Sequence, residues 1–176
     1  LNNRKKGRMD YQKSHIPGAL FFDLEENSNQ NCSLPHSLPK KEQFQNIISK
    51  LGINKKSLII IYDQSGFFCS SRIWFTFFIY GFKRVKILDG GFKSWNRFNF
   101  PLSKIIKRTF FRHNLVNFSK KYIIKKSQIE CLINSQKKEF TIIDARPSER
   151  FKGIVPDPRK NLRSGNIKGS INIPFS

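Results

Sequence analysis

A strand buried on both faces is predicted at residues 57–62, where Ser-Leu-Ile-Ile-Ile-Tyr carries apolar side chains without alternation. Such strands belong to parallel sheets, whose two faces are covered by helices. One helix is predicted before it, because apolar side chains within residues 44–51 recur at i, i+3, i+4 and i+7. A second helix is predicted after it, over residues 70–80, with Gly81 as its stop. These segments together favour an α/β fold.

The alternation of strand and helix extends along the chain. Residues 85–88 are predicted as a further strand, residues 92–98 as a short helix, and residues 19–23 as an earlier buried strand that ends in an acid. Alternating strands and helices with short connections indicate a doubly wound parallel sheet. Ligands of such sheets bind beyond the carboxyl ends of the strands. The turns after Tyr62 and Leu88 are therefore the expected place for chemistry.

The net charge of +21, from 33 Lys and Arg against 12 Asp and Glu, raises the question of a nucleic-acid partner. The basic residues occur in twos and threes along the whole chain rather than on one helix or stripe, and Lys, Asn, Ile and Phe are all abundant. That distribution is typical of a genome rich in A and T, so we predict no nucleic-acid partner. We predict no membrane segment either, since the longest strongly apolar stretch, residues 73–82, is about half of the roughly 20 residues that span a bilayer.

Cysteine and histidine are few and scattered. The three cysteines are Cys32, Cys69 and Cys131, and the three histidines are His15, His36 and His113. Their spacing matches neither a zinc site nor a disulfide framework, so we predict no metal and no cofactor. An odd number of widely separated thiols is typical of a reducing compartment, which predicts a cytoplasmic protein.

Two domains are predicted, joined by a basic segment. Residues 1–100 hold the alternating elements, residues 101–126 lose that rhythm and are interpreted as a surface linker, and residues 127–176 begin a second α/β unit. A short internal repeat supports the two units. Residues 15–22 and 166–173 share the pattern x-Ile-x-Gly-small-apolar before a predicted strand.

Several short runs carry a family resemblance. In the first unit they are residues 15–23, 34–39, 61–63, 72–74 and 88–91 with Trp95, and in the second unit residues 144–146 (Asp-Ala-Arg), 150–153, 156–159, 162–165 and 169–175. Together and in this order, the runs resemble the tandem-domain rhodaneses, the thiosulfate and 3-mercaptopyruvate sulfurtransferases. The resemblance implies a rhodanese-like doubly wound parallel sheet with helices on both faces, followed by a truncated second rhodanese-like domain.

The same resemblance implies a sulfur relay. The family's second domain carries a catalytic cysteine in a loop of pattern Cys-x-x-Gly-x-[Ser/Thr]-Ala, whose backbone N–H groups hold an anion and open a helix. Its thiolate takes sulfur from a small anionic donor, becomes a persulfide, and passes the sulfur to a thiol or to cyanide. This loop would lie beyond Ser176, and the family's first strand before Leu1. We therefore assign no catalytic residue and expect residues 1–176 alone to be inactive.

Four residues are candidates for the site. By the resemblance, Asp63 occupies the nucleophile's place in the first domain, in a loop of the same length with Gly66 in register, and a carboxylate cannot carry a persulfide. Cys69, where the next helix begins, is either a small packed residue or a substitute nucleophile near a helix N-terminus. Arg150 and Arg159 match positions that bind the donor's anionic end, or they are solvated surface arginines.

Two functions stay open at this point. The first is a thiosulfate or 3-mercaptopyruvate sulfurtransferase, with transfer through a cysteine persulfide in the complete protein. The second is a non-catalytic rhodanese-like binding module or a gene remnant, in which the first domain keeps its fold and serves only in interaction.

Overall fold

The computed structural model describes residues 3–64, 69–110, 116–135, 139–158 and 162–175. The chain forms two compact units, Leu1–Tyr122 and Ile123–Ser176. Each unit contains a pair of parallel strands. The domain boundaries that the sequence suggests, with domains at 1–100 and 127–176 and a linker at 101–126, stay a prediction.

Unit 1 alternates helices and strands in the predicted order, with one helix added at its start. Its elements are α1 (Asn3–Lys13), α2 (Lys41–Lys50), β1 (Ile59–Ile61), α3 (Ser70–Ile79), β2 (Val85–Ile87), α4 (Gly91–Arg97) and a 3-10 turn (Lys120–Tyr122). Strands β1 and β2 are parallel, with Ile59 opposite Val85 and Ile61 opposite Ile87. Helix α3 connects them, because parallel neighbours need a crossover. The α/β architecture is therefore confirmed.

Aromatic and branched side chains of α2, α3 and the strands build the core of unit 1. The buried cluster consists of Phe44, Ile47, Ile48, Ile61, Ile73, Phe77, Ile79, Tyr80, Phe82 and Val116. The ring of Phe44 stacks on Tyr80, with 4.1 Å between centroids, and meets Phe77 edge-on at 5.2 Å. Such pairs contribute about 0.5–1.5 kcal/mol beyond the burial of their area. The hydroxyl of Tyr80 donates to the carbonyl of Pro39 at 2.6 Å, which fastens the start of α2 to the end of α3.

The segment of unit 1 that follows α4 contacts the earlier part of the unit at several described points. Val116 is fully buried in the core cluster, and the N–H of Ser119 donates to the carbonyl of Ile79 at 2.8 Å. An antiparallel bridge joins His15 to Ser103. The neighbours of Val116 in the sequence are basic and aromatic. Burying the apolar surface of Val116 is favourable, which explains why this segment packs against the core. Residues 101–110 and 116–122 therefore pack against the preceding part of unit 1.

The prediction of a strand at residues 19–23 is wrong, because these residues form no strand in the structure. A strand is defined by hydrogen bonds to a neighbour, and no other strand pairs with residues 19–23 in the part of the chain that the structure describes. Local side chains bind the backbone instead. The hydroxyl of Tyr11 donates to the carbonyl of Ala19 at 2.8 Å, and the carboxylate of Asp23 accepts the N–H groups of Glu25 and Glu26, each at 3.1 Å.

Unit 2 contains short elements around a second parallel pair. They are α5 (Lys126–Asn134), β3 (Ile143–Asp144), α6 (Ser148–Phe151) and β4 (Ile171–Asn172). Ile143 lies opposite Ile171 in the register of the pair. None of the described residues from 123 to 175 is fully buried, and Ile154 and Phe175 are 70% and 62% exposed. The described part of unit 2 thus presents much of its apolar surface to solvent.

Candidate functional site at the start of helix α3

The turn that follows β1 brings a carboxylate to the amino terminus of α3. Asp63 lies two residues beyond the end of β1, and one of its carboxylate oxygens accepts the N–H groups of Cys69 and Ser70 at 2.8 and 2.9 Å. The first N–H groups of a helix lack partners within the helix and carry a partial positive charge. A carboxylate satisfies both requirements, so Asp63 acts as an anion built into this position. Gly66, predicted to lie in this loop, falls outside the described residues.

The main chain of Asp63 also forms a hydrogen bond with helix α4. Its carbonyl accepts the N–H of Phe92, in the first turn of α4, at 3.1 Å. Gly90 precedes α4 with a φ of 69°, and its neighbour Gly91 has a φ of 53°. Glycine adopts such left-handed angles without strain, which permits the sharp entry from β2 into α4. The carboxyl end of β1 and the starts of two helices therefore meet at Asp63, where the sequence predicts chemistry.

The thiol beside this carboxylate is poorly suited to act as a nucleophile. Cys69 is half-buried and precedes α3. Burial raises the pKa of the Cys69 thiol, and the nearby charge of Asp63 raises it further. The thiolate, which is the nucleophilic form, is therefore disfavoured at neutral pH. These features favour the packed role for Cys69 over the substitute nucleophile.

A different cysteine has the more acidic thiol. The hydroxyl of Ser37 lies 3.0 Å from the sulfur of Cys32, in a polar loop. This hydrogen bond, with a smaller contribution from the backbone of Leu34, lowers the pKa of the Cys32 thiol. Cys32 is not among the four candidate residues that the sequence supplies. The sequence shows only that a serine lies five positions after Cys32. Whether the serine hydroxyl reaches the Cys32 sulfur depends on the loop conformation.

In unit 2 the end of β3 is organised by an ion pair. The guanidinium of Arg146 donates to both carboxylate oxygens of Asp144, at 3.0 Å from Nε and 2.6 Å from Nη2, and also to the carbonyl of Gly165 at 2.8 Å. The Arg146 guanidinium holds the pKa of Asp144 below its usual range. The side-chain amide of Asn172 donates to the carbonyls of Asp144 and Arg146, each at 2.9 Å. Arg146 therefore serves the loop and is engaged within the protein.

Of the two arginines predicted to bind an anionic donor, the structure describes only Arg150. Arg150 lies in α6 and is half-buried. Arg159 lies outside the described residues. The role of both arginines in donor binding stays a prediction.

The described residues contain neither a cluster suited to a metal ion nor a helix suited to a membrane. No group of three or more His, Cys, Asp or Glu side chains that could hold a metal ion occurs in residues 3–64, 69–110, 116–135, 139–158 or 162–175. Within the same ranges, no helix has the length and apolar character needed to cross a bilayer.

Comparisons with known proteins agree with this architecture. The family described as "Rhodanese-like domain" matches residues 4–98. The chain is 33% identical over 174 residues to the 3-mercaptopyruvate sulfurtransferase of Mus musculus, covering 98% of this chain and 58% of the relative. The crystal structure of Tum1 from Saccharomyces cerevisiae superposes with a TM-score of 0.85 at 29% identity, covering 99% of this chain and 60% of that one.

A third similar protein is bacterial. The crystal structure of SseA from Escherichia coli, titled a 3-mercaptopyruvate sulfotransferase with the "Rhodanese" fold, superposes with a TM-score of 0.80 at 34% identity, covering 95% of this chain and 62% of that one. The chain thus spans about three fifths of the length of these three proteins. The rhodanese-like α/β fold that the sequence motifs suggest is confirmed. The chain belongs to the rhodanese-like domain family.

Proposed function

We propose that this chain is part of a sulfurtransferase that moves sulfur from thiosulfate or 3-mercaptopyruvate through a cysteine persulfide, and that residues 1–176 alone do not perform the transfer. The names of the similar proteins support the reaction class. One observation carries the second half of the proposal. The N–H groups at the start of α3, where an anionic sulfur would sit, are already bound to the carboxylate of Asp63.

The chemistry requires a sulfur nucleophile at such a position. A thiolate attacks the outer sulfur of thiosulfate, a new S–S bond forms, the S–S bond of the donor breaks, and sulfite leaves with the electron pair. Cyanide or a thiol then takes the transferred sulfur and restores the thiolate. A carboxylate cannot form the persulfide, and the charge of Asp63 repels an anionic donor. In the complete protein, Arg150 and Arg159 would bind the anionic end of the donor, a task that suits a planar guanidinium.

A sulfurtransferase assay tests the proposal. Purified residues 1–176 are incubated with thiosulfate and cyanide, and thiocyanate is measured beside a Cys69→Ser variant. We expect no turnover in either protein, because burial and Asp63 both disfavour the Cys69 thiolate. Turnover that disappears in Cys69→Ser would make Cys69 the nucleophile and overturn the proposal.

A second candidate is a non-catalytic binding module or gene remnant, which the carboxylate already bound at the start of α3 also favours. The reading frame downstream of Ser176 separates the two. Continuation into Cys-x-x-Gly-x-[Ser/Thr]-Ala supports the sulfurtransferase, and an immediate stop codon supports the module. The cytoplasmic location and the absence of a nucleic-acid partner stay predictions. Measuring nucleic-acid retardation at two salt concentrations tests the latter, since phosphate binding weakens steeply with salt.

A further inference from the structure

The acidic residues of the chain are distributed less evenly than the basic ones. Residues 90–129 contain 10 Lys and Arg and no Asp or Glu, so this stretch supplies +10 of the net charge of +21. The rest of the chain has 23 Lys and Arg and all 12 Asp and Glu, which leaves +11. An anionic surface that meets residues 90–129 is therefore attracted by the cations and meets no carboxylate side chain of this stretch.

One part of this stretch, residues 97–110 of unit 1, also presents large apolar side chains to solvent. We call residues 97–110 the exposed strip. Its exposed apolar side chains, each between 43% and 76% exposed, are Phe98, Phe100, Leu102, Ile105, Ile106 and Phe110. Its exposed cations are Arg97, Lys104, Lys107 and Arg108. Isolated exposed apolar side chains are common in proteins, whereas six within 14 consecutive residues indicate an interaction surface.

The main chain of the exposed strip is bound to the rest of unit 1. The N–H groups of His15 and Ser103 each donate to the carbonyl of the other residue, at 2.9 and 2.8 Å. A ring nitrogen of His15 lies 3.2 Å from the carbonyl oxygen of Ile105. Further along, the hydroxyl of Thr109 donates to the carbonyl of Lys50 at 3.3 Å. A main chain that is already held in place loses less conformational entropy when its side chains bind a partner.

The kinds of side chain in the exposed strip distinguish between anionic partners. Single-stranded nucleic acid is bound by cations and by aromatic rings that stack on bases, and Ile105 and Ile106 could not stack. An acidic peptide binds in a groove or along a strand edge, whereas Ile105 and Phe110 protrude, with 73% and 76% of their surface exposed. The boundary of an anionic bilayer takes up protruding apolar side chains and attracts Lys and Arg. The composition of the strip therefore favours a lipid surface.

We propose that the exposed strip binds the surface of an anionic lipid bilayer. Ile105, Ile106 and Phe110 enter the boundary between headgroups and acyl chains, and Lys104 and Arg108 contact the anionic headgroups. The strip lies on the bilayer and does not cross it, which agrees with the lack of a spanning helix among the described residues. The proposal is independent of the sulfurtransferase proposal, because it uses no residue of the site at the start of α3 and its test measures no activity.

Sedimentation with vesicles tests the proposal on residues 1–176. One set of vesicles contains equal parts of phosphatidylserine and phosphatidylcholine, and the other contains phosphatidylcholine alone. We expect at least tenfold stronger binding to the phosphatidylserine vesicles, and weaker binding to them as salt screens the charges.

Two double variants with the same change in net charge locate the binding surface. The first, Lys104→Glu with Arg108→Glu, reverses two charges of the exposed strip and should weaken binding to phosphatidylserine vesicles at least tenfold. The matched control, Lys55→Glu with Lys56→Glu, reverses two exposed charges outside the strip and should weaken binding by no more than about threefold. Net charge alone would produce the same loss in both variants.

A second pair of variants tests the apolar contribution. Ile105→Ser should weaken binding to phosphatidylserine vesicles about fivefold, because an apolar side chain no longer leaves water. The matched control is Leu34→Ser, which removes a side chain that is 65% exposed in another loop and should leave binding unchanged. Far-ultraviolet spectra check the folding of every variant, and if a variant fails to fold, the two kinds of vesicle decide with the parent protein alone.

Four results would overturn the proposal. They are equal binding to the two kinds of vesicle, equal loss of binding in the two charge variants, full binding by Ile105→Ser, and binding to heparin that depends on Ile105 as strongly as binding to vesicles does.

Discussion

The carboxylate of Asp63 and the main-chain N–H of Cys69 are joined by a hydrogen bond of 2.8 Å at the start of α3. The same carboxylate that stabilises the helix also raises the pKa of the Cys69 thiol, second to burial. One side chain therefore strengthens the fold and suppresses a nucleophile at the same point. The two effects can be separated, because the first needs an oxygen acceptor and the second needs a charge.

Asp63→Ala should lower the free energy of unfolding by about 0.5–2 kcal/mol, the range for loss of a side chain that caps a helix. It should also lower the pKa of the Cys69 thiol. Asp63→Asn keeps an acceptor oxygen but no charge, so most of the stability should remain while the thiol pKa still falls. Urea unfolding and the pH dependence of alkylation measure the two effects. Equal loss of stability in both variants would contradict the view that an oxygen acceptor at residue 63 is enough to stabilise the helix.

Alkylation at pH 8 should modify Cys32 before Cys69. The Ser37 hydrogen bond lowers the pKa of Cys32, whereas burial raises that of Cys69, and the thiolate is the form that reacts. Mass spectrometry after brief treatment with iodoacetamide gives the order. Ser37→Ala should slow the modification of Cys32 and leave Cys69 unchanged. Faster reaction of Cys69 than of Cys32 in the parent protein would contradict the raised pKa of the Cys69 thiol.

Arg146→Ala should raise the pKa of Asp144 toward the ordinary aspartate value of about 3.9. In the folded protein the pKa of Asp144 is lowered by Arg146, so the stabilisation is present above about pH 3.9 and is lost as pH falls through the folded value. Carboxyl chemical shifts measured from pH 2 to 6 follow the titration. Arg150→Ala is the matched control and should leave it unchanged. An Asp144 titration that does not move in Arg146→Ala would exclude the pairing as the cause.

Tyr80→Phe should destabilise unit 1 by about 0.5–1.5 kcal/mol, because the carbonyl of Pro39 loses its donor at 2.6 Å. Burial, with a smaller contribution from Glu42, raises the pKa of Tyr80 to about 12. The neutral phenol is thus favoured in the folded state, so its stabilisation is complete below about pH 10 and is lost as pH rises toward 12. Absorbance of the phenolate in the parent protein, compared with Tyr80→Phe, measures the titration. The variant should lose the step of highest pH, and retention of that step would assign it to another tyrosine.

Local patterns predicted the elements whose side chains repeat with a clear period. The spacing of Phe44, Ile47 and Ile48 predicted α2, and these side chains are buried as one face of the observed helix. The apolar run at residues 57–62, which has no alternation, also predicted the strand β1. The predicted burial of that strand on both faces is wrong, since Ile60 is 58% exposed. The position of Asp63 beyond that strand could also be predicted, because a strand end fixes the place of the next residue.

Features that depend on distant partners could not be predicted. Residues 19–23 have a strand-like composition, yet strand formation requires a hydrogen-bonded neighbour, which no composition reveals. Val116 is a single apolar residue in an aperiodic basic stretch, so its complete burial left no local signal. The hydroxyl of Ser37 approaches Cys32 only because of the loop conformation, and the effect on the thiol follows from that approach.

The two glycine turns of the internal repeat differ in their surroundings but not in their backbone, since Gly18 and Gly169 both have a φ of 81°. An added Cβ would meet nothing within 4 Å at Gly169, and only the end of Lys107, at 3.7 Å, at Gly18. Crowding therefore does not explain glycine at either place, and the left-handed φ alone does. It follows that the tetrapeptides Ile-Pro-Gly-Ala and Ile-Lys-Gly-Ser could be exchanged between the copies with both turns retained. Each chain reversal is encoded within its own four residues.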